Sequence, residues 1–434
     1  MSDVLILNGR LVDPVSGIDD ERDLLLRHGR VTAIEMPGGL RFAKAKDTID
    51  AAGMVVAPGL VDVHVHLREP GQTYKESIAT GTAAAAAGGF TSVVAMPNTV
   101  PVNDSVASLK WMQDAARGAV VKLFAMPAAT FGSMGEEITD YHELRDAGAV
   151  GFTDDGKPVL ETRVMRAALV AAAGIGVPIS QHAEDTRLTG GCSMNAGPVA
   201  FRLGLRGMSV EAEAKIVERD IGLLRDIERH DGLRPHLHVQ HVSTARAMDA
   251  IRKAKREGLH VTCEVAPHHF TLTDEAIGEY DTNAKMNPPL RAEADRVAMI
   301  AGLMDGTVDC IATDHAPHAL FEKEQEFERA PNGITGLETA LGLALRVLHK
   351  GEGMPISRVI ELMSAQPAEI VSLDGRGRLS AGSFADLVVF DPAAEWSFEV
   401  KKTRSKSKNT PFDGAPMLGR VVATISEGRI VFKG

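Results

Sequence analysis

Short apolar runs recur through the middle of the chain, and a longer helix-like stretch follows each of them. The strand candidates are residues 59–64, 91–96, 120–125, 149–153, 178–181, 237–240, 260–264 and 308–312. Helical stretches such as 78–87 and 163–173 lie between them. Regular alternation of buried strands and helices is typical of a parallel sheet, and eight such units are typical of a closed barrel. The sequence therefore predicts an α/β fold of the (β/α)8 type.

The two ends of the chain differ from this middle region. Residues 1–55 contain short apolar runs joined by turn signals, and we expect Asn8-Gly9 and His28-Gly29 to form hairpin turns. Residues 376–434 return to strand-like runs, with Gly428 at the last turn. We therefore expect both ends to build one small β-rich domain, with the barrel formed by residues 56–375 between them.

Composition restricts the class of partner. Lys and Arg total 47 against 58 Asp and Glu, so the net charge is −11, whereas nucleic-acid binders normally present a basic face. We interpret the one basic stretch, 401–408, as a solvated loop. Three cysteines cannot form a disulfide framework, and neither a secretory leader nor a membrane-spanning apolar run is evident. These features predict a cytoplasmic protein without nucleic-acid or membrane partners.

The strongest chemical signal lies at the end of the first barrel strand. His64 and His66 are two residues apart, so on a strand both imidazoles point to the same side. The carboxyl end of a barrel strand is where active sites of this fold lie. Two imidazoles that face one point suit zinc. This spacing alone, however, is also common in ordinary strand ends.

Other residues with metal-ligand chemistry also stand at strand ends. They follow separate apolar runs, so a parallel barrel would bring all of them to one mouth. Together with the strand of His64 and His66 this makes five strand ends, a coincidence that favours a metal centre over unrelated polar residues. The residues concerned are Asp154 and Asp155, His182, His241 and Asp314.

Longer motifs carry a resemblance to a known family. They are HVHLREPG at 64–71 with Val63 before it, AMPNT at 95–99, FTDDG at 152–156, KMNPPLR at 285–291, TDHAPH at 313–318 and NGITGLE at 332–338. Together with the terminal β segments they resemble the long, class I type of dihydroorotase, within the amidohydrolase superfamily. The resemblance extends from about residue 8 to the end of the chain.

The resemblance implies a centre of two zinc ions. His64 and His66 match the ligands of the more buried ion, and His182 and His241 match those of the second. Asp314 matches a ligand that also transfers the catalytic proton. Many relatives bridge the ions with a carboxylated lysine, whereas this chain has Asp154-Asp155 at that place. We expect Asp155 and a hydroxide to form the bridge, with Asp154 and a modified Lys157 as alternatives.

The same motifs imply a substrate with a carboxylate and a cyclic amide. Arg68 would share the side of the histidines, and its planar guanidinium can bind a carboxylate with two hydrogen bonds. By resemblance, Asn98 and His318 share that carboxylate. Asn287 and the backbone at Asn332 and Gly333 hold the ring amides. The implied reaction interconverts N-carbamoyl-L-aspartate and L-dihydroorotate in pyrimidine biosynthesis.

Two other functions use similar motifs. Allantoinase and dihydropyrimidinase or hydantoinase share the histidines and the final aspartate, but a dihydropyrimidine has no carboxylate for Arg68 to bind. A non-catalytic scaffold of aspartate transcarbamoylase would be expected to lose metal ligands, and every matched ligand is present. We expect a homodimer, and assembly with aspartate transcarbamoylase stays open. Segments 187–209 and 316–331 lack clear periodicity, and we hypothesise that one or both cover the site.

Overall fold

Strands at both ends of the chain flank a central region in which strands alternate with helices. The structure is a computed structural model that describes residues 3–434. The strands are β1 (Val4–Asp13), β2 (Ile18–Arg27), β3 (Arg30–Glu35), β4 (Asp47–Asp50), β5 (Val55–Pro58), β6 (Leu60–Val65), β7 (Phe90–Ala95), β8 (Lys122–Ala125), β9 (Phe152–Thr153), β10 (Pro178–Gln181), β11 (Met194–Asn195), β12 (Gly207–Met208), β13 (His236–Val239), β14 (Val261–Val265), β15 (Cys310–Ile311), β16 (Leu387–Ser397), β17 (Pro416–Ser426) and β18 (Arg429–Lys433).

Helices connect most of the central strands. They are α1 (Ile78–Ala87), α2 (Val106–Ala115), α3 (Tyr141–Asp146), α4 (Thr162–Ile175), α5 (Thr186–Thr189), α6 (Pro198–Leu203), α7 (Glu211–His230), α8 (Ala245–Arg256), α9 (Pro267–Thr271), α10 (Glu293–Met304), α11 (Leu320–Lys323), α12 (Ala340–Ala344), α13 (Ile356–Ile360) and α14 (Gln366–Ile370). Two wider helical turns, Leu345–Gly351 and Glu361–Ala365, extend α12 and join α13 to α14. Within residues 3–434, no helix is both long and apolar enough to cross a membrane.

Both chain ends contribute to one mixed sheet. Its order is β18-β17-β16-β5-β1-β2-β3, and β4 pairs with the first half of β1. Strand β5 runs parallel to β1 and antiparallel to β16, so it ties the N-terminal strands to the C-terminal ones. The sheet has its own apolar core, which includes Leu24, Val56 and Leu387. The sequence predicted that the two ends would associate, but β5 falls within the segment expected to belong to the barrel.

One predicted hairpin turn is wrong. His28-Gly29 does turn β2 into β3, with a positive φ at both residues. Asn8-Gly9, in contrast, lies inside β1 as a bulge, where the pairing with β2 shifts register. A Cβ on Gly9 would lie 2.5 Å from Val56 Cγ2. The glycine therefore permits the close approach of β5.

The central strands pair in parallel and in chain order. One sheet contains β6, β7 and β8, and a second contains β9, β10, β13, β14 and β15. Hydrogen bonds join the two at both edges: Val150 N donates to Ala125 O (3.2 Å), and His66 N donates to His315 O (2.9 Å). Helices pack against the outward faces in the largest apolar core. The prediction of an α/β fold is confirmed.

The connecting helices begin and end where local chemistry favours it. Ser77 precedes α1, and its hydroxyl accepts from Thr80 N at the first turn. Thr244 does the same for α8, whose last turn carries Lys253, Lys255 and Arg256 beside the exposed carbonyls. Helix α8 buries Met248 and Ile251 on one face. These caps fix the start of α1 and of α8, the helices that follow β6 and β13, whose carboxyl ends carry site residues.

Candidate metal centre and active site

Six side chains with metal-ligand chemistry converge at the carboxyl ends of the parallel strands. All six are buried, and they belong to five different strands or the residues directly after them. Two groups have ligand atoms that all lie within 4.8 Å of one another: His64, His66 and Asp314, and His64, Asp155 and His241. The six side chains are His64, His66, Asp155, His182, His241 and Asp314, which are the predicted metal ligands.

The Asp155 carboxylate lies among the four histidines. Its Oδ1 atom is 3.3 Å from His64 Nε2, 3.7 Å from His241 Nε2 and 3.8 Å from His182 Nδ1. Its Oδ2 atom is 3.4 Å from His66 Nε2. One carboxylate therefore faces both pairs of imidazoles, as a bridging ligand must.

The two alternatives to Asp155 lie elsewhere. Asp154 accepts hydrogen bonds from the backbone N–H of Thr130 (2.9 Å) and from its hydroxyl, so its carboxylate holds the neighbouring loop. Lys157 is exposed, and its Nζ is 3.9 Å from Met134 Sδ. Neither side chain faces the histidines.

Hydrogen-bond partners on the outer side orient three of the histidines. His64 Nδ1 is 2.5 Å from Glu264 Oε1, His66 Nδ1 is 2.8 Å from the amide oxygen of Asn98, and His182 Nε2 is 2.9 Å from Glu184 Oε2. Each of these oxygens can accept a hydrogen bond from a ring N–H, so each neutral ring keeps its hydrogen on the outer nitrogen. The inner nitrogens then present lone pairs to the centre.

Lone pairs that face carboxylate oxygens need a cation between them. The buried His64 Nε2 has no hydrogen bond of acceptable geometry, although oxygens of Asp155 and Asp314 lie 3.3 and 3.5 Å away. His182 Nδ1 and His241 Nε2 are only 2.8 Å apart. Imidazole nitrogens and carboxylate oxygens in this arrangement are ligands that zinc accepts. The residues present therefore fit a metal centre.

The electrostatics agree with this interpretation. Burial lowers the pKa of His64, but the charges of Asp155, Glu264 and Asp314 outweigh burial and raise it well above its usual value. For Asp155 the effects are reversed. Burial raises the pKa of this carboxyl, but His64, His241 and His66 hold it well below its ordinary range. The pocket thus favours positive charge at its centre, which a proton or a metal ion can supply.

Three site residues adopt a positive φ, which is uncommon for residues other than glycine. The values are 58° for Arg68, 32° for His241 and 46° for Asp314. Each follows the carboxyl end of a parallel strand, where the chain turns away from the strand direction. Backbone conformations of this kind concentrate at functional sites, where surrounding contacts maintain them.

A cavity of about 390 Å³ opens above these ligands. All predicted metal and substrate residues line it except His64, which lies deeper, and Gly333. The cavity also includes Gly156, Met286, Ala316 and Pro331, so part of segment 316–331 forms its wall. Segment 187–209 does not contribute to this wall, and it contains the small parallel pair β11–β12.

Arg68 supplies positive charge to the cavity wall. Its Nε donates to Pro317 O (3.1 Å), and its Nη2 lies 3.3 Å from His318 Nε2. Burial lowers the pKa of Arg68, but a guanidinium stays protonated in proteins. Burial and the nearby cations Arg68 and Lys75 lower the pKa of His318 to about 2, so His318 is neutral. A carboxylate bound here would be neutralised by Arg68 rather than by His318.

The predicted amide-binding residues are held by their neighbours. Asn287 Nδ2 donates to Glu184 Oε2 (2.8 Å), and Asn332 O accepts from His318 Nε2 (2.8 Å). Gly333 was expected to offer its backbone to a ligand, but its N–H donates to Lys285 O and its carbonyl accepts from Asn409 and Lys323. A Cβ at Gly333 would lie 2.4 Å from Ala316 O. Gly333 therefore shapes the wall instead of lining it.

Sequence reasoning missed Glu264 and Glu184. Glu264 also contacts His238 Nε2 (3.1 Å) and accepts from the backbone N–H of His241 (3.2 Å), so it links β6, β13 and β14. Burial raises the pKa of Glu184, but its hydrogen bond to His182 and the charge of that ring lower it to about 2. Their positions, at the end of a strand candidate and two residues after a predicted ligand, were the available signals.

The other histidines near the ligands do not line the cavity. His268 and His269 are buried with ring centroids 4.3 Å apart, and His269 Nε2 lies 3.1 Å from Pro288 O. His315 points away from the cavity: its Nδ1 accepts from Gly336 N, and its Nε2 is 3.4 Å from Glu76. Cys192, Cys263 and Cys310 are free thiols, and the last two are buried.

Comparisons with known proteins agree with this geometry. A family model described as dihydro-orotase-like matches residues 53–246. The solved structures that resemble this one include an L-hydantoinase from Arthrobacter aurescens (TM-score 0.87, 26% identity, 100% of this chain and 96% of that one). A dihydropyrimidinase from Brevibacillus agri has a TM-score of 0.84 at 23% identity, over 99% of this chain and 95% of that one, which shows a shared fold.

Curated relatives are closer in sequence. Dihydroorotase of Geobacter sp. (strain M21) is 48% identical over 431 residues, which is 99% of both chains. Dihydroorotase of Anaeromyxobacter sp. (strain K) is 47% identical over 436 residues, with 99% of this chain and 98% of the relative covered. With these similarities over the full length, the chain belongs to the dihydroorotase family, hydrolases of cyclic amide bonds in pyrimidine biosynthesis.

Proposed function

We propose that this protein interconverts N-carbamoyl-L-aspartate and L-dihydroorotate at a centre of two zinc ions. The observation that carries the proposal is the position of Arg68, whose buried guanidinium shares one cavity with the six metal-type ligands. A cyclic amide substrate with a carboxylate needs both features at once. A dihydropyrimidine, which lacks the carboxylate, needs only the ligands.

The proposed ligands follow from the distances around Asp155. His64 and His66 would hold one ion and His182 and His241 the other, with Asp155 between the pairs and Asp314 beside the first. Zinc bound there would lower the pKa of a coordinated water towards about 7 and polarise the amide carbonyl. Glu264, Asn98 and Glu184 would keep the rings in the tautomer that binds metal.

Asp314 is the proposed proton carrier. Its Oδ1 lies 3.0 Å from His66 Nε2 and faces the cavity, so it adjoins both the ligands and the space for substrate. Burial raises the pKa of Asp314, but His64 and His66 lower it below its ordinary value, which keeps the carboxylate ready to accept a proton. It would take the proton of the attacking water and give it to the leaving nitrogen.

The proposed substrate contacts divide between the two ends of the ring. Arg68 would bind the carboxylate with its planar fork, assisted by neutral His318 and the amide of Asn98. Asn287 and the backbone of Asn332 would hold the ring amides. Gly333, whose own polar atoms are occupied, would act by keeping the wall close to His318.

We also propose that the central strands form a closed barrel and that the two chain ends form a separate small domain. Parallel pairing through β6–β10 and β13–β15, with hydrogen bonds at both edges, supports a closed (β/α)8 barrel over residues 56–375. The mixed sheet supports a small β domain from residues 1–55 and 376–434, with β5 at its boundary. A cytoplasmic homodimer, alone or with aspartate transcarbamoylase, is an expectation from the resemblance that size-exclusion chromatography with light scattering would test.

One paired experiment tests the function. The purified protein is analysed for zinc and is assayed for ring opening of L-dihydroorotate, dihydrouracil and hydantoin. The proposal expects close to two zinc ions per chain and turnover that strongly favours dihydroorotate. Preference for dihydrouracil or hydantoin would identify a hydantoinase instead. Absence of both metal and turnover would contradict a catalytic role.

A further inference from the structure

A segment of the C-terminal region reaches the active-site loops. Residues 403–410, here called the strap, precede β17 and include residues 403–408 of the basic stretch 401–408, which the sequence suggested was a solvated loop. Its side chains alternate: Ser405, Ser407 and Asn409 are buried, whereas Lys406 and Lys408 are exposed. The lysines are therefore solvated as expected, but the other face of the strap packs against the protein.

The start of the strap is hydrogen-bonded to two carboxylates, the half-buried Glu338 and the fully buried Glu76. Glu338 accepts from the backbone N–H groups of Arg404 (2.8 Å) and Ser405 (3.1 Å). Ser405 Oγ donates to Glu76 Oε2 (2.5 Å), and Glu76 also contacts His315 Nε2, next to the predicted ligand Asp314. The strap is thus tied to the loop between β6 and α1.

The middle of the strap continues along the same loop. Ser407 Oγ donates to Lys75 O (2.6 Å). The Lys75 side chain in turn lies 3.4 Å from His318 Nδ1 and forms an ion pair with Glu322 (3.0 Å). Ser407 is therefore linked through Lys75 to His318 in the cavity wall.

Asn409 joins the two loops that form this wall. Its Oδ1 accepts from His318 N (2.9 Å), and its Nδ2 donates to Ala316 O and Gly333 O, both at 3.0 Å. Its backbone carbonyl accepts from Thr335 N (2.9 Å). The side chain is buried, does not line the cavity, and uses both amide hydrogens and its oxygen.

We propose that the strap is a positioning element for the carboxylate end of the substrate, with Asn409 as its main positioning residue. This inference rests on the proposed function and names the part of the chain that sets its substrate affinity. Asn409 acts through Ala316 and His318, which line the cavity, and through Gly333. Other contacts orient the metal-type ligands, namely those from Glu264, Asn98 and Glu184. Loss of Asn409 should therefore affect substrate binding and leave metal binding intact.

The test compares Asn409→Ala and Asn409→Asp with the wild type, and uses Lys401→Ala as an exposed control from the same basic stretch. Asp keeps the shape and the acceptor for His318 N but cannot donate to the two carbonyls. We expect KM for L-dihydroorotate to rise at least about tenfold in both Asn409 variants, with kcat changed less than about threefold. Zinc content should equal that of the wild type, and Lys401→Ala should match the wild type throughout.

Amide hydrogen exchange supplies a readout that does not depend on the reaction. Exchange at 316–318 and 332–335 should accelerate in Asn409→Ala, while exchange at 64–66 stays as in the wild type. Unchanged exchange and KM, or a joint loss of zinc and kcat at constant KM, would overturn the proposal. If the Asn409 variants do not fold, Ser407→Ala must show the same pattern at smaller amplitude, and a wild-type response there overturns it too. A wild type without dihydroorotase activity refutes the proposed function alone, because exchange still tests the strap.

Discussion

The Nδ1 atom of His64 and the Oε1 atom of Glu264 lie 2.5 Å apart, although the two residues are 200 positions apart in the chain. Glu264 is buried and also contacts His238 and the backbone of His241. It thereby connects a ligand of the first proposed metal ion with the strand that carries a ligand of the second. Three elements of the site depend on this one carboxylate.

Replacing Glu264 should weaken metal binding without removing a ligand. Glu264→Gln retains one acceptor but loses the negative charge that stabilises the His64 ring, so we expect zinc affinity to fall about 10–100-fold. Competition with a chelator of known affinity measures the change. Glu257→Gln, at an exposed glutamate, is the control. Equal zinc affinity in Glu264→Gln would show that the contact has no role in metal binding.

The adjacent aspartates should respond differently to the same change. Asp155→Asn should lower zinc to below two ions per chain and abolish turnover, because Asp155 faces all four histidines. Asp154→Asn should keep its zinc but destabilise the fold by about 1–2 kcal/mol, because Asp154 accepts hydrogen bonds from Thr130. Elemental analysis and thermal unfolding separate the two effects. Loss of zinc in Asp154→Asn alone would reverse the assignment.

Arg68→Lys should reveal how the carboxylate is recognised. Lysine keeps the charge but loses the planar fork and the bond to Pro317 O. We expect kcat/KM for L-dihydroorotate to fall about 100-fold, close to 3 kcal/mol, whereas any turnover of dihydrouracil stays the same. Steady-state kinetics on both substrates measure the ratio, with the exposed Arg117→Lys as control. A parallel loss on both substrates would argue against a carboxylate clamp.

Glu338 should make stability depend on pH. Burial outweighs the hydrogen bonds from Ser405 and Arg404 and raises the pKa of Glu338 from 4.5 to about 7. Between these values the folded state binds more protons than the unfolded state, so this contribution to stability is full below about pH 4.5 and is lost as the pH rises through 7.

Glu338→Gln removes this titration. We expect the variant to be more stable than the wild type by about 1–3 kcal/mol at pH 8, with the difference vanishing near pH 4.5. Urea unfolding over this pH range measures it, and the exposed Glu399→Gln serves as control. A stability difference that does not change with pH would contradict a raised pKa at Glu338.

Features set by neighbours in the chain could be predicted. The period of the apolar runs predicted the central strands, and α1 begins and ends at the expected residues, 78 and 87. His64 and His66 share one side because strand geometry imposes it. Asn8-Gly9 shows the limit of such local signals: the dipeptide suits a hairpin, but contact with Val56 of β5 decides that it forms a bulge.

Features set by distant residues could not be predicted in this way. In the sequence, Glu264 is one polar residue at the end of a strand candidate. Its contact with His64 exists only because the fold brings β6 close to β14. The sequence of the strap was interpreted as a basic loop because of its lysines. Nothing in the sequence alone distinguishes Ser405, Ser407 and Asn409 from ordinary polar loop residues. Their significance depends on partners such as Glu76, which is 329 positions away from Ser405.

The sequence by itself determined which residue types stand at the ends of the strands, and with them the family and the class of chemistry. Strand period and motif spacing are local properties, so they can be recognised from the sequence alone. Only the tertiary structure decided that Asp155 faces the histidines, which ring nitrogens point to the centre of the site, and that Asn409 joins the loops at His318 and Gly333. Hydrogen bonds and charge contacts act over about 3–4 Å in space, and the folded chain alone brings residues that are hundreds of positions apart within that distance.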